Sequence, residues 1–190
     1  RSKKNQIIFH KVKCFNNKII DNIINTFLKK KNSFIFESVE KRRIRGRYTI
    51  IGADPDKTWE FNKKKITLIQ GKKKKLIKSS PYPFLKKLIE DFNFDLPKNL
   101  PPICSLLVGY FSYDIIRYIE KIPDNCKDDL KIPDVILMRP KTLIIHDNLL
   151  KKIYFIKNCY ADEKIINYHE YFNQQKRNIN FLKNLAFHYN

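Results

Sequence analysis

The residues whose types and spacing could do chemistry are Glu37 and Ser38, within Ser33-Phe34-Ile35-Phe36-Glu37-Ser38-Val39-Glu40, and Arg47 and Tyr48 a short basic connection later. Read as a strand, that run puts Phe34, Phe36 and Ser38 on one face and Ile35, Glu37 and Val39 on the other. A carboxylate therefore shares a face with apolar side chains. Burying it unpaired would be costly, so Glu37 must meet an arginine, a ligand ammonium group or an open cleft rather than a dry core. Arg47 ends the cluster Lys41, Arg42, Arg43, Arg45 and immediately precedes the strand-like Tyr48-Thr49-Ile50-Ile51. From there its guanidinium can reach the neighbouring strand end, where a ligand carboxylate or Glu37 itself would meet it.

Nothing else in the chain assembles into a catalytic set of nucleophile, base or metal with positioned partners. His10, His146, His169 and His188 form no constellation and read as surface or packed residues. Cys14, Cys104, Cys126 and Cys159 lie far apart, without Cys-x-x-Cys or metal-ligand spacing, which points to reduced thiols and a reducing compartment. Cys104 reads as core and Cys126 as an exposed thiol. Asp124, Asn125, Asp128 and Asp129 crowd the loop from Pro123 to Pro133, but lack the Asp-x-Asp-x-Asp-Gly order of a calcium loop and read as solvated. The four glycines, Gly46, Gly52, Gly71 and Gly109, are scattered, so no phosphate-cradling loop exists and no nucleotide site is expected.

The formal charge of +20 on 190 residues would ordinarily suggest a nucleic-acid or anionic-membrane partner. The excess is mostly lysine, runs from Lys3 to Lys183, and accompanies abundant Ile and Asn with Ala only at Ala53, Ala161 and Ala186. That distribution fits a coding bias better than a binding footprint, so a basic nucleic-acid-binding module is the remote alternative. The densest run, Lys72 to Lys75, follows Gly71 between two strand-like segments and reads as a solvated hairpin tip. Lysine there also discourages pairing between sheet edges. No apolar run has the length of a membrane helix, and the N-terminus lacks a signal-peptide core. A cytoplasmic location, with no membrane and no nucleic acid as partner, is expected.

The elements that must position these residues define an α+β chain of mostly antiparallel sheet with packed helices. Asn17 to Lys29 is helical, with Ile19, Ile20, Ile23, Ile24, Phe27 and Leu28 at helical spacing. Strands are expected near 33–39, 47–52, 58–62, 65–70 and 75–78. Pro83 to Phe92 fits a helix with proline in its first turn. Ile103 to Phe111 is an apolar run of strand length, and Tyr113 to Glu120 a short helix. Asp134 to His146 and Lys152 to Lys157 form a hairpin turning at Asp147-Asn148, and Ala161 to His188 is a polar helix.

Taken in order, these segments resemble the N-terminal domain of anthranilate synthase component I, within the chorismate-utilising enzymes. The Phe36-Glu37-Ser38 strand is similar to the family's Leu-Leu-Glu-Ser strand, and Gly46-Arg47-Tyr48-Thr49 to its Gly-Arg-Tyr-Ser strand. Asp54-Pro55-Asp56 with Trp59 looks like the turn that follows. Leu100-Pro101-Pro102, Val108-Gly109-Tyr110, Tyr113-Asp114, Pro133-Asp134, Leu137-Met138-Arg139-Pro140 and His146-Asp147 come next in the family's order. The likeness covers roughly Asn32 to Asn148. Leu106-Leu107 and Ser112 stand where many members carry glycine, which touches backbone freedom rather than chemistry.

The resemblance implies that residues 1–190 are a piece of a larger enzyme, inactive alone, whose C-terminal domain holds chorismate and Mg2+. It implies no catalytic and no metal-binding residue within this chain. The implied activity is conversion of chorismate and ammonia to anthranilate and pyruvate, with ammonia supplied by a glutamine amidotransferase partner, component II. What it assigns to this domain is L-tryptophan feedback inhibition at Ser38, Glu37, Arg47 and Tyr48. Neighbours on a strand point to opposite faces, so one of Glu37 and Ser38 would act through its backbone. The sibling aminodeoxychorismate synthase component I shares the fold and is the alternative. The Leu137 to Pro140 segment and the full Glu37-Ser38-Val39-Glu40 strand favour anthranilate synthase.

Overall fold

A computed structural model of the chain describes residues 4–37, 46–92, 94–125 and 127–187. In order the elements are β1 (Gln6–Lys13), α1 (Asn17–Leu28), β2 (Phe34–Phe36), β3 (Tyr48–Asn62), β4 (Lys65–Gln70), β5 (Lys73–Ile77), α2 (Pro81–Glu90), β6 (Val108–Phe111), β7 (Val135–Asp147), β8 (Lys152–Cys159) and α3 (Tyr168–Phe187). Short 3-10 turns occupy Pro102–Cys104 and Tyr113–Tyr118. Every described ladder is antiparallel, giving the expected α+β class. The chain divides into two units: Arg1–Asp54 with Phe94–Ser105 and Pro140–Asn190, and Pro55–Asn93 with Leu106–Arg139.

In the first unit, β1 pairs β8 from Gln6↔Cys159 to Lys13↔Lys152, and β8 pairs β7 from Thr142↔Lys157 to Asp147↔Lys152. The N-terminal half of β3 lies next to β7 and also carries β2, with Phe34 opposite Gly52. β8 has partners on both edges and is buried from Ile153 onward, the signature of a strand covered on both faces. One face meets the helices. Ile153 and Phe155 of β8, Ile144 of β7 and Ile51 of β3 pack with Ile20, Ile23 and Phe27 of α1 and Ile179, Leu182 and Ala186 of α3. Full burial of each such Ile, Leu or Phe side chain contributes about 1.5–3 kcal/mol. α1 starts where it does because the Asn16 side chain accepts the Lys18 N–H at 3.0 Å, filling one of the orphan positions of the first turn.

In the second unit the C-terminal half of β3 pairs β4 through a two-residue turn, Asn62↔Lys65, and β4 pairs β5 across Gly71 and Lys72. Gly71 has φ +57°, the left-handed conformation this turn requires. β6 pairs the start of β7, Val108↔Met138 to Phe111↔Val135. The core is Trp59, Phe61, Ile66, Leu85, Val135 and Leu137, with Leu68, Phe84 and Leu88 packed on it.

Several expectations change in detail. The segments expected as separate strands at 47–52 and 58–62 are one strand, β3, and Asp54-Pro55-Asp56 does not turn the chain. Asp54 takes φ 55°, so a single left-handed residue absorbs the irregularity while the strand continues. Of the lysine run only Lys72 sits at the hairpin tip; Lys73 to Lys75 run along β5 as an exposed edge. That is where lysine best discourages edge pairing. Ile103 to Phe111 is not one strand, because Pro101 and Pro102 start a 3-10 turn and only Val108–Phe111 joins a ladder. The last helix begins at Tyr168, not at Ala161. The sheet also gains β1, absent from the sequence-based set.

Candidate functional site

Ser38 lies outside the described residues, as do Lys41, Arg42, Arg43, Arg45, Cys126 and His188. Glu37 leaves the end of β2 and is exposed, which satisfies the requirement that it avoid a dry core. Phe34 and Phe36, alternate residues of β2, have ring centroids 5.2 Å apart, and Phe36 is 50% exposed. Opposite them runs the start of β3, with Phe36 against Ile50 and Ile35 against Ile51. Tyr48 opens that strand, half-buried, and burial pushes its phenol above the usual value.

Arg47 is turned toward a partner other than the expected one. Instead of Glu37, it meets Asp147 at the end of β7: Nε donates to Oδ1 at 3.1 Å and Nη2 to Oδ2 at 2.7 Å. The guanidinium carbon lies 4.8 Å from the Tyr48 ring centroid. Asp147 is fully buried and also accepts the backbone N–H groups of Leu149 and Leu150, each at 3.0 Å. Burial opposes its ionisation, but the hydrogen bonds from Arg47 and Leu150 outweigh it and hold the carboxyl below its usual range. The backbone of Asn148 donates to the Arg47 carbonyl at 2.8 Å. Asp147 thus fixes both the β7 to β8 turn and the entry to β3. Sequence reading placed Asp147 at the turn but missed the ion pair, since nothing in the sequence links positions 100 residues apart.

A second polar group in the same unit joins β3, β7 and β8. The Thr142 hydroxyl donates to Asp54 at 2.7 Å, and the Lys157 ammonium lies 3.6 Å from the same carboxylate and also bonds Thr142. Burial lowers the Lys157 pKa against the opposing pull of Asp54. In the second unit Arg139 is buried and pairs with Asp56, Nε to Oδ1 at 2.8 Å. The acidic loop behaves as a solvated segment: Asp124 lies 3.3 Å from Lys63, and Asp128 accepts the Lys131 N–H at 2.9 Å. Among the described residues, no group of three or more His, Cys, Asp or Glu could hold a metal ion. Cys14, Cys104 and Cys159 are buried free thiols, and burial pushes Cys104 up to about 12. His146 is buried, and burial holds its imidazole below the usual value. No helix among the described residues is long and apolar enough to cross a membrane.

The end of β2 thus presents an exposed phenyl ring followed by an exposed carboxylate, and the strand paired with β2 opens with the phenol of Tyr48 next to the Arg47 guanidinium held by Asp147. A sequence model described as chorismate binding enzyme matches residues 31–185, and the chain belongs to this family. It is similar to anthranilate synthase component 1 of Acetivibrio thermocellus, with 32% identity over 134 residues, 70% of this chain and 27% of that protein. It is likewise similar to the Cereibacter sphaeroides protein of the same description, 29% identical over 163 residues, 77% of this chain and 30% of its relative. Among solved structures, anthranilate synthase component I from Streptococcus pneumoniae shares the fold with a TM-score of 0.55 and 20% identity, over 83% of this chain and 34% of that one. The chain thus spans about 30% of the length of the curated relatives it matches.

Proposed function

We propose that this chain is the N-terminal portion of an anthranilate synthase component I and that Glu37 and Ser38, which follow β2 in the sequence, hold L-tryptophan as a feedback inhibitor. The observation that carries this reading is the run of family segments from Phe36-Glu37-Ser38 to His146-Asp147, in a chain that belongs to the chorismate-binding enzymes. The Ser38 hydroxyl or amide binds the amino-acid head group, the exposed Glu37 carboxylate attracts the ammonium, and Phe36 or Tyr48 bounds the indole. Arg47 enters with its guanidinium already held by Asp147, so it presents a fixed cation rather than a searching one. Tryptophan favours the arrangement with lower turnover, a coupling of about 1–3 kcal/mol.

The complete cytoplasmic enzyme converts chorismate and ammonia to anthranilate and pyruvate, with ammonia drawn from glutamine by the amidotransferase component II. Mg2+ belongs to the C-terminal catalytic domain, and we assign no residue of this chain to it. The test is product formation from chorismate, Mg2+ and ammonia by the protein expressed from its complete reading frame, with and without L-tryptophan. Anthranilate formation suppressed by tryptophan is expected. Aminodeoxychorismate as product would move the chain to the sibling enzyme, and no turnover of chorismate would overturn the reading.

A further inference from the structure

The first unit contains a cavity of about 730 Å3 that the tryptophan reading does not use. Its lining includes Lys4, just before β1, His169 and Lys176 of α3, and the aromatic residues Tyr160, Tyr168 and Phe172. Tyr168, Phe172 and Lys176 recur every four residues, so α3 presents two rings and then an ammonium group along one stripe. No Asp or Glu is among the described residues that line the cavity. Lys4 is shared with Asp95, which lies 2.8 Å away outside the lining, whereas Lys176 has no carboxylate within ion-pair distance among the described residues.

The walls are held in place from behind. Tyr160 is buried, donates its hydroxyl to the Pro140 carbonyl at 2.7 Å, and meets the Phe94 ring edge-on at 5.7 Å. Phe172 stands edge-on to Tyr171 at 5.8 Å, and the Tyr171 hydroxyl donates to Glu163 at 2.9 Å. The Ala161 N–H of the lining donates to the Asn5 side chain, next to Lys4 in the sequence, at 2.9 Å. Pre-set rings lower the ordering cost of receiving a flat apolar group, and the Lys176 ammonium, with no carboxylate in ion-pair reach among the described residues, favours an anion on that group. A cavity of this size suits a ligand of one or two rings.

We propose that this cavity is a binding site for a small ring-bearing carboxylic acid, its ring between Tyr160 and the Tyr168–Phe172 stripe and its carboxylate at Lys176. The test is isothermal titration of the 190-residue chain with benzoate, with neutral benzamide and inorganic phosphate as comparisons. Benzoate is expected to bind saturably at millimolar or better affinity, with benzamide and phosphate weaker by about tenfold or more. Lys176→Glu, on the exposed side of α3, is expected to weaken benzoate by about tenfold or more while far-ultraviolet circular dichroism stays unchanged. Tyr168→Ser, also exposed, is expected to weaken it severalfold with the fold intact. Absence of saturable benzoate binding, equal binding of benzamide or phosphate, or a Lys176→Glu titration like the wild type would overturn the proposal.

Discussion

Asp147→Ala is expected to be the most destabilising single change at the candidate site, costing about 3–5 kcal/mol. The carboxylate is fully buried and its partners depend on it: the Arg47 guanidinium bonds it through Nε and Nη2, and two backbone N–H groups of the β7 to β8 turn donate to one of its oxygens. Truncation leaves a half-buried cation and two donors unpaired at once, which costs far more than the net worth of the bonds themselves. For a chain of this length the melting temperature should fall by about 6–20 °C. The pH dependence follows from the direction of the shift. Because the folded carboxyl lies below its unfolded value, the unfolded chain binds more protons between the two, and stability rises with pH there. The contribution is complete above about pH 4–5 and lost as pH falls through the lowered folded value. Asp147→Asn should therefore lose stability at neutral pH and show a flatter acid limb; urea unfolding across pH 3–7 checks both.

Gly109→Ala is the second large expectation, and it concerns space rather than charge. A Cβ built on Gly109 would fall inside the van der Waals shell of the Ile136 carbonyl oxygen, 2.7 Å from the carbonyl carbon and 3.1 Å from the Leu137 Cα. These are backbone atoms of the paired strand β7, which cannot rotate away as a side-chain tip would. Relief requires parting β6 from β7 across the ladder that runs from Val108 to Phe111. The expected cost is about 3 kcal/mol or more, with proteolytic opening around β6. Gly71→Ala is the control. Nothing lies within 4 Å of its Cβ, so only the left-handed backbone is strained, at about 1–2 kcal/mol.

The elements legible in the sequence were those whose pattern is local. α1 follows from apolar residues at helical spacing from Asn17 to Lys29, and the β7 to β8 hairpin from two apolar runs around Asp147-Asn148. Position 54 shows the limit. Asp-Pro-Asp is turn chemistry, yet Asp54 takes its left-handed conformation inside a strand, because ladder partners on either side of β3 outweigh the local preference. β1 was hidden for a related reason: Lys11 and Lys13 dilute its apolar run, and its place is set by β8, some 150 residues away in sequence. At the candidate site, the absence of Glu37 from a dry core followed from the cost of burying a lone carboxylate. The partner of Arg47 did not, since choosing between Glu37 and Asp147 needs the three-dimensional path of β3 and β7.

Asp147 and Gly109 are structural, and their loss should read out as stability. Glu37, by contrast, is exposed just past the end of β2, so loss of its side chain should cost little packing. The central claim is tested most directly by the tryptophan dose–response of anthranilate formation in the complete enzyme, compared among wild type, Ser38→Ala and Glu37→Lys. Half-inhibiting tryptophan concentrations should rise by about tenfold or more in both variants, with ammonia-dependent turnover retained in the absence of tryptophan. Wild-type inhibition curves in both variants, or loss of that turnover in both, would contradict the claim.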